Sequence, residues 1–195
     1  NRARLARAAD LPGEPVWLKQ VHGIHVCRAT SATRGEPEAD GAVTGERGVV
    51  CAVLTADCLP VFLARTDGSA VGVAHAGWRG LAAGVVEAVV RVLPGSDAPV
   101  SAWLGPAIGP AAFEVGPEVH DAFVNRHPED AAGFRPGHGD RYLADLYALA
   151  RARLSRAGVA AVGGGDCCTH DDDRLFFSHR RDGLTGRMAS LIWLD

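Results

Sequence analysis

A chain of 195 residues has the length of one domain with a sizeable core. Its 47% hydrophobic and 22% charged residues exclude a disordered tail, a collagen-like rod and a coiled coil. Its 20 basic and 23 acidic side chains leave a formal charge of −3, without the basic footprint that a nucleic-acid backbone or an anionic membrane requires. No apolar run approaches the ~18 residues of a membrane span. Five cysteines, an odd number, in a chain without a secretory h-region point to the cytoplasm and reduced thiols. The chain opens Asn1-Arg2-Ala3-Arg4 in helix-like sequence without an initiator methionine, so a natural segment ahead of it is expected.

In chain order, Val16 to Cys27 alternates as a strand does, with Val16, Leu18, Gln20 and His22 on one face and a turn at His22-Gly23. Gly35 to Gly48, rich in Gly and Glu, reads as an exposed loop carrying Ala39-Asp40-Gly41-Ala42. Val49–Leu54 and Leu59–Ala64 read as buried strands, and the polar break between them, Thr55-Ala56-Asp57-Cys58, is a good place for a site. Ala70–Ala74 is a further strand with His75 at its end, followed by a turn through Ala76-Gly77-Trp78-Arg79-Gly80 and an apolar helix over Leu81–Leu93. Such a turn leaves backbone N–H groups free to meet an anion at the helix start, with Arg79 to pair with it. Beyond it the pattern predicts a strand over Val100–Leu104 and a short helix from Pro117 to about Asn125. An amphipathic helix over Leu143–Ala157 follows, closed by Gly158, then strands over Val159–Val162, Leu175–Ser178 and Met188–Leu194. Strands and helices mix throughout with no repeat and no boundary, so residues 1–195 are expected to form a single domain of α+β (mixed α/β) class.

The residues that carry chemistry lie at element ends. His22, Cys58 and His75 each stand where a strand meets a turn, and three neighbouring strands can bring them to one edge of a sheet. Two imidazoles and a thiolate make a three-ligand zinc site with its fourth position open, the pattern of a catalytic centre. No C-x-x-C and no H-E-x-x-H occurs, so a structural zinc finger is unsupported. Each residue also has a plainer reading: Cys58 as a buried thiol like Cys51, His22 as a turn residue, or Cys58 and His75 as a metal-free nucleophile and base. His25 lies on the opposite strand face from His22, while His120, His127 and His138 sit in polar sequence, and all four read as solvated. Cys167-Cys168-Thr169-His170 with Asp171-Asp172-Asp173 lacks calcium-loop spacing and reads as a turn; Arg180, Arg181 and Arg187 could bind an anion, although surface pairing is the commoner role.

Six strings occur in order: Lys19-Gln20-Val21-His22-Gly23, Ala39-Asp40-Gly41, Thr55-Ala56-Asp57-Cys58-Leu59-Pro60, His75-Ala76-Gly77-Trp78-Arg79-Gly80, Leu104-Gly105-Pro106-Ala107-Ile108-Gly109, and Phe176-Phe177-Ser178 through Thr185-Gly186-Arg187. Together they resemble the bacterial laccase-domain family, long labelled multicopper polyphenol oxidases and now understood as purine nucleoside phosphorylases. The resemblance runs the length of the chain. It implies metal ligands in K-Q-x-H-G, A-D-C-x-P and H-A-G-W-R-G motifs, which fall on His22, Cys58 and His75, the trio reached from element ends. It further implies a zinc enzyme that cleaves adenosine, inosine and S-methyl-5′-thioadenosine with phosphate and also deaminates adenosine. The implied fold is a four-layer αββα sandwich of the cytotoxic-necrotizing-factor-like cysteine hydrolase type. Members usually begin with S-T-R-x-G-G and S-L-N-L-G strings, and neither occurs in this chain.

Phosphorolysis needs a seat for phosphate, stabilisation of an oxocarbenium-like ribose and help for the departing base. The expected seat is the helix start lined by Gly77 and Gly80 with Arg79 as the cation, Glu114 a further substrate contact, and Asp57 steadying the ribose charge or accepting a proton. The first rival is a copper-containing polyphenol oxidase (laccase), disfavoured because none of the eight histidines stand two apart, although copper can replace zinc in a single N/S site. The others are a metal-free Cys58–His75 hydrolase or amidase on cell-wall peptides, and a protein that binds purines or metal without turnover.

Overall fold

The computed structural model describes residues 1–195. Six strands form one mixed sheet: β1 (Val26–Arg28), β2 (Gly41–Thr44), β4 (Leu59–Arg65), β5 (Val71–Ala76), β6 (Val100–Leu104) and β10 (Ala161–Gly164), in the order β1-β2-β5-β4-β6-β10. Only the outer pairs, β1–β2 and β6–β10, run parallel. β3 (Cys51–Thr55) leaves this sheet and pairs antiparallel with β11 (Met188–Ile192). The short strands β7 (Glu114–Val115), β8 (Phe134–Pro136) and β9 (Tyr142–Ala144) make a third sheet.

The central strands β2, β4 and β5 are apolar on successive residues because both of their faces are covered. Period two sorts the side chains. Val43, Leu59, Val61, Leu63, Ala74 and Ala76 point to one core with the helices α2 (Trp78–Ala83), α3 (Val85–Val92) and α5 (Leu146–Arg156). Ala42, Phe62 and Val73 point to the other, against Cys51, Val53 and Ile192 of the β3–β11 pair. His75 shares the face of Val73 and is therefore turned into the space between the two sheets. Val85, Val86 and Val89 of α3 are wholly buried, each contributing roughly 1.5–3 kcal/mol of apolar burial to this stacking. The helices α1 (Arg2–Ala8) and α6 (His179–Asp182) bury no residue, and α4 (Pro117–Val124) packs through Val119 and Phe123.

Several expected elements change form. Val16–Cys27 is not one strand: only the bridges Val16↔Cys51 and Lys19↔Glu38 precede β1, because Asp40 gathers the backbone at Val21–Gly23 into a turn. The single helix over Leu81–Leu93 is two, broken at Gly84, whose φ of 104° is open to glycine alone without strain. Leu143–Ala157 begins as strand β9, and the helix starts only after Asp145, whose side chain caps the Ala148 N–H. Leu175–Ser178 is no strand; the Arg181 guanidinium collects the carbonyls of Thr169, His170 and Phe176 and holds this segment folded on itself. His120 is half-buried, its ring stacked on Tyr142 at 4.3 Å. No helix is long and apolar enough to cross a membrane.

Candidate metal centre

Cys58 and His75 meet through strand register. β4 and β5 are antiparallel with Pro60 opposite His75, so Cys58, immediately before β4, lies beside the histidine. His22 comes from a loop, not from a neighbouring strand. The fully buried Asp40 carboxylate accepts the N–H groups of Val21 at 3.2 Å, His22 at 2.9 Å and Gly23 at 2.6 Å, and the turn so formed holds His22 at a φ of 60°. The same carboxylate takes the Nδ1–H of His75 at 2.8 Å, which fixes that tautomer and leaves Nε2 to face the other two side chains. One buried acid thus places two of the three candidate ligands. The imidazoles of His22 and His75 stand edge to face at 4.8 Å, and one ligand atom from each of His22, Cys58 and His75 lies within 4.8 Å of the others. It is the one such convergence of three or more His, Cys, Asp or Glu in the chain.

The thiol of Cys58 suits a cation. Burial alone would push the Cys58 thiol up, but hydrogen bonds with the His22 and His75 rings bring it down to about 6. Burial likewise opposes charge on His75, yet its bonds to Asp40 and Cys58 raise it to about 9, so in the metal-free protein a binding metal ion displaces the proton from Nε2. A thiolate is therefore present near neutrality before any metal arrives, which a zinc ligand needs. Metal-free protein exposed to iodoacetamide is expected to be alkylated first at Cys58. The reactive thiolate is lost as pH falls through about 6, so the rate should drop there, and zinc should protect. Cys51, pushed up to about 12 by burial and by the nearby Cys27, should stay unlabelled. Peptide mass spectrometry reads this; labelling of Cys58 that starts only above about pH 8.5 contradicts the assignment.

Gly77 closes the wall behind the trio. A Cβ there would stand 2.9 Å from the Cys58 Sγ and 3.1 Å from the His22 ring. Gly77→Ala is expected to leave the fold intact and weaken zinc binding about tenfold or more, because the intruding methyl displaces a ligand from its place. Equal zinc affinity of the two proteins in a chelator competition would show that the wall does not matter.

A cavity of about 420 Å³ opens at the trio, lined by His22, Cys58 and His75 together with Gln20, Thr55, His179 and Arg187 among its other residues. The other expected site residues divide. Asp57, beside the ligand and at a φ of 87°, spends both oxygens on the C-terminal segment: it accepts the Thr169 hydroxyl at 2.6 Å and the Arg180 N–H at 2.7 Å. Arg79 is exposed, stacks over the Trp78 ring at 4.4 Å and does not line the cavity. Gly80 lets the helix approach the His22 turn, with the Gly23 carbonyl 3.0 Å from where its Cβ would be. The Glu114 carboxylate is bound to His138 at 2.7 Å, outside the cavity. Reading the sequence missed the anchoring role of Asp40 and the presence of Thr55 and His179 in the cavity. The only signal for them was their place inside the strings Ala39-Asp40-Gly41, Thr55-Ala56-Asp57-Cys58 and Phe176 through Arg187.

Fold and site together define a mixed α/β protein with one open His/Cys/His centre between two sheets. The chain belongs to the family described as multi-copper polyphenol oxidoreductase laccase, whose model matches residues 1–195. It is 52% identical over 194 residues to a protein of Escherichia coli K12 named purine nucleoside phosphorylase YfiH, covering 100% of this chain and 79% of that one. Purine nucleoside phosphorylase PA4543 of Pseudomonas aeruginosa is 50% identical over 198 residues, again with 100% and 79% covered. Among solved structures, Neisseria meningitidis protein NMB0706 superposes with a TM-score of 0.93 at 48% identity, covering 100% of this chain and 79% of that one. YlmD from Geobacillus stearothermophilus gives 0.89 at 35% identity, covering 99% and 78%. The family description speaks of several coppers, whereas one three-ligand cluster forms in this chain.

Proposed function

We propose that this chain is a zinc-dependent purine nucleoside phosphorylase acting on adenosine, inosine and S-methyl-5′-thioadenosine, with adenosine deaminase as a second activity of the same centre. The observation that carries this reading is the convergence of His22, Cys58 and His75 beside a cavity of about 420 Å³, in a chain whose relatives bear the phosphorylase name. Zinc held by these residues would supply a Lewis acid with a position left for a reactant. In phosphorolysis a phosphate oxygen bonds to C1′ as the glycosidic C1′–N9 bond breaks. The bonding pair passes to the purine nitrogen, and the hydrogen of the phosphate ends on the base. In deamination water replaces the 6-amino group and ammonia leaves. Asp57 acts by position, tying Thr169 and Arg180 to the turn that presents Cys58. We assign the protein to the cytoplasm, and its fold to the αββα sandwich of the cytotoxic-necrotizing-factor-like type, on the stacking of helices, a six-stranded sheet and the β3–β11 pair.

Incubating the zinc-loaded protein with adenosine tests this. Adenine and ribose 1-phosphate are expected only with phosphate, and inosine with or without it. Release of no base from any of the three nucleosides at any phosphate concentration would overturn the reading. A second reading, a metal-free Cys58–His75 hydrolase, draws on the thiol brought down to about 6. It requires activity to persist after the metal is stripped.

A further inference from the structure

We propose that Thr55, His179 and Arg187 form the oxyanion subsite of the cavity, and that inorganic phosphate binds there and not at the start of α2. The inference rests on the phosphorylase reading for its choice of anion, but its geometry is independent of that reading.

Three observations carry it. The first is an orphan: the hydroxyl of Thr55 is buried, with the residue only 2% exposed, and has no hydrogen-bond partner, although Thr55 lines the cavity. A buried hydroxyl without a partner is costly, and a ligand that accepts or donates to it removes the cost. The second is an uncommitted cation. Arg187 is the one Arg or Lys side chain of the cavity wall and forms an ion pair with no carboxylate. One of its terminal nitrogens is fastened to the carbonyls of Thr185 and Gly186 at 3.0 and 2.9 Å, which fixes the guanidinium base while leaving the rest of its fork open. The third is His179, whose Nδ1–H donates to the Gly183 carbonyl at 2.7 Å, which leaves Nε2 to accept the O–H of a hydrogen phosphate.

Elimination supports the same assignment. Gln20 also lines the cavity, but its amide is spent on both backbone groups of Leu54, accepting at 2.8 Å and donating at 2.9 Å. His75 is committed to Asp40 and the trio. Thr55 and Met188 are paired across the β3–β11 ladder, so Thr55 and Arg187 lie at adjoining ends of one sheet, and both line the cavity that holds the trio. Phosphate seated there shares one cavity with the trio.

Calorimetric titration of inorganic phosphate into the zinc-loaded and the zinc-free protein tests this without turnover. Saturable binding is expected in both, weakened about tenfold or more in Arg187→Gln and to a smaller degree in Thr55→Val, with zinc content unchanged. In steady-state kinetics Arg187→Gln should raise the KM for phosphate about tenfold while the nucleoside KM moves less than about twofold. Phosphate binding that vanishes with zinc and is untouched in Arg187→Gln would place the anion on the metal and overturn the proposal. So would a phosphate KM that responds to Arg79→Ala and not to Arg187→Gln, or a nucleoside 5′-phosphate that binds while inorganic phosphate does not. If the wild-type protein binds phosphate through Arg187 but releases no base from any nucleoside, the subsite stands and the phosphorylase reading falls.

Discussion

Replacing Cys58 by serine is expected to take bound zinc from one per chain to near none and to lower phosphorolysis by about a thousandfold. The thiolate is the one soft, anionic donor among the three ligands, and two imidazoles alone leave a site that zinc occupies weakly. A Lewis acid contributes several kcal/mol to a transition state, which corresponds to about three decades in rate. The side chain is half-buried and nearly isosteric with serine, so the fold should survive. Elemental analysis and the rate of base release, measured on the same preparation, read both effects. A Cys58→Ser protein that keeps full zinc and full rate would remove Cys58 from the centre.

Asp40→Asn is expected to weaken zinc binding about ten- to a hundredfold while leaving all three ligands in place. In the wild type both carboxylate oxygens accept, one from His22 and His75, the other from Val21 and Gly23. Asparagine offers a single acceptor oxygen and turns an NH2 group against two donors, so the turn at His22 and the tautomer of His75 lose their common anchor. Removing the charge from a buried pair costs about 3–5 kcal/mol, or about 10 °C in the Tm of a chain this size. The pH dependence has a defined sign in the zinc-free protein. Burial opposes charge on Asp40, but the His75 bond and the backbone N–H groups win and hold its carboxyl below the usual range. Its share of stability is therefore present above the ordinary value of ~3.9 and lost as pH falls through the lower folded value. His75, raised to about 9, contributes fully below ~6.5 and loses its share as pH rises through about 9. The Tm gap between wild type and Asp40→Asn should be widest between about pH 4 and 6.5 and shrink on either side. A gap that does not change with pH would mean that Asp40 acts through shape alone.

How much of this was legible in the sequence follows from how local each signal is. Strands β3, β4, β5 and β6 were readable within a residue or two because apolar runs between polar breaks are a property of neighbours. The split helix at Gly84 was missed because a glycine inside an apolar run looks tolerable until its backbone turns left-handed. Leu175–Ser178 looked like a strand on composition, but the Arg181 guanidinium gathers the carbonyls of Thr169, His170 and Phe176 and folds the segment instead. At the site, the trio was reached from element ends and from family strings together. Asp40 was not, since its partners lie 17 to 35 residues away and no spacing rule joins an aspartate to a turn and a strand. The expected anion seat at Arg79 rested on a helix-start argument. In the structure Gly80 packs against the His22 turn, Arg79 stacks on Trp78 outside the cavity, and Arg187 is the arginine that lines it.

The most direct test is zinc-edge X-ray absorption on the metal-loaded protein, with crystallographic anomalous scattering to place the ion. One zinc per chain is predicted, bound by one sulfur at about 2.3 Å and two imidazole nitrogens at about 2.0–2.1 Å, with a light atom in the remaining position. A spectrum without a sulfur neighbour, or an anomalous peak away from His22, Cys58 and His75, would contradict the account at its base.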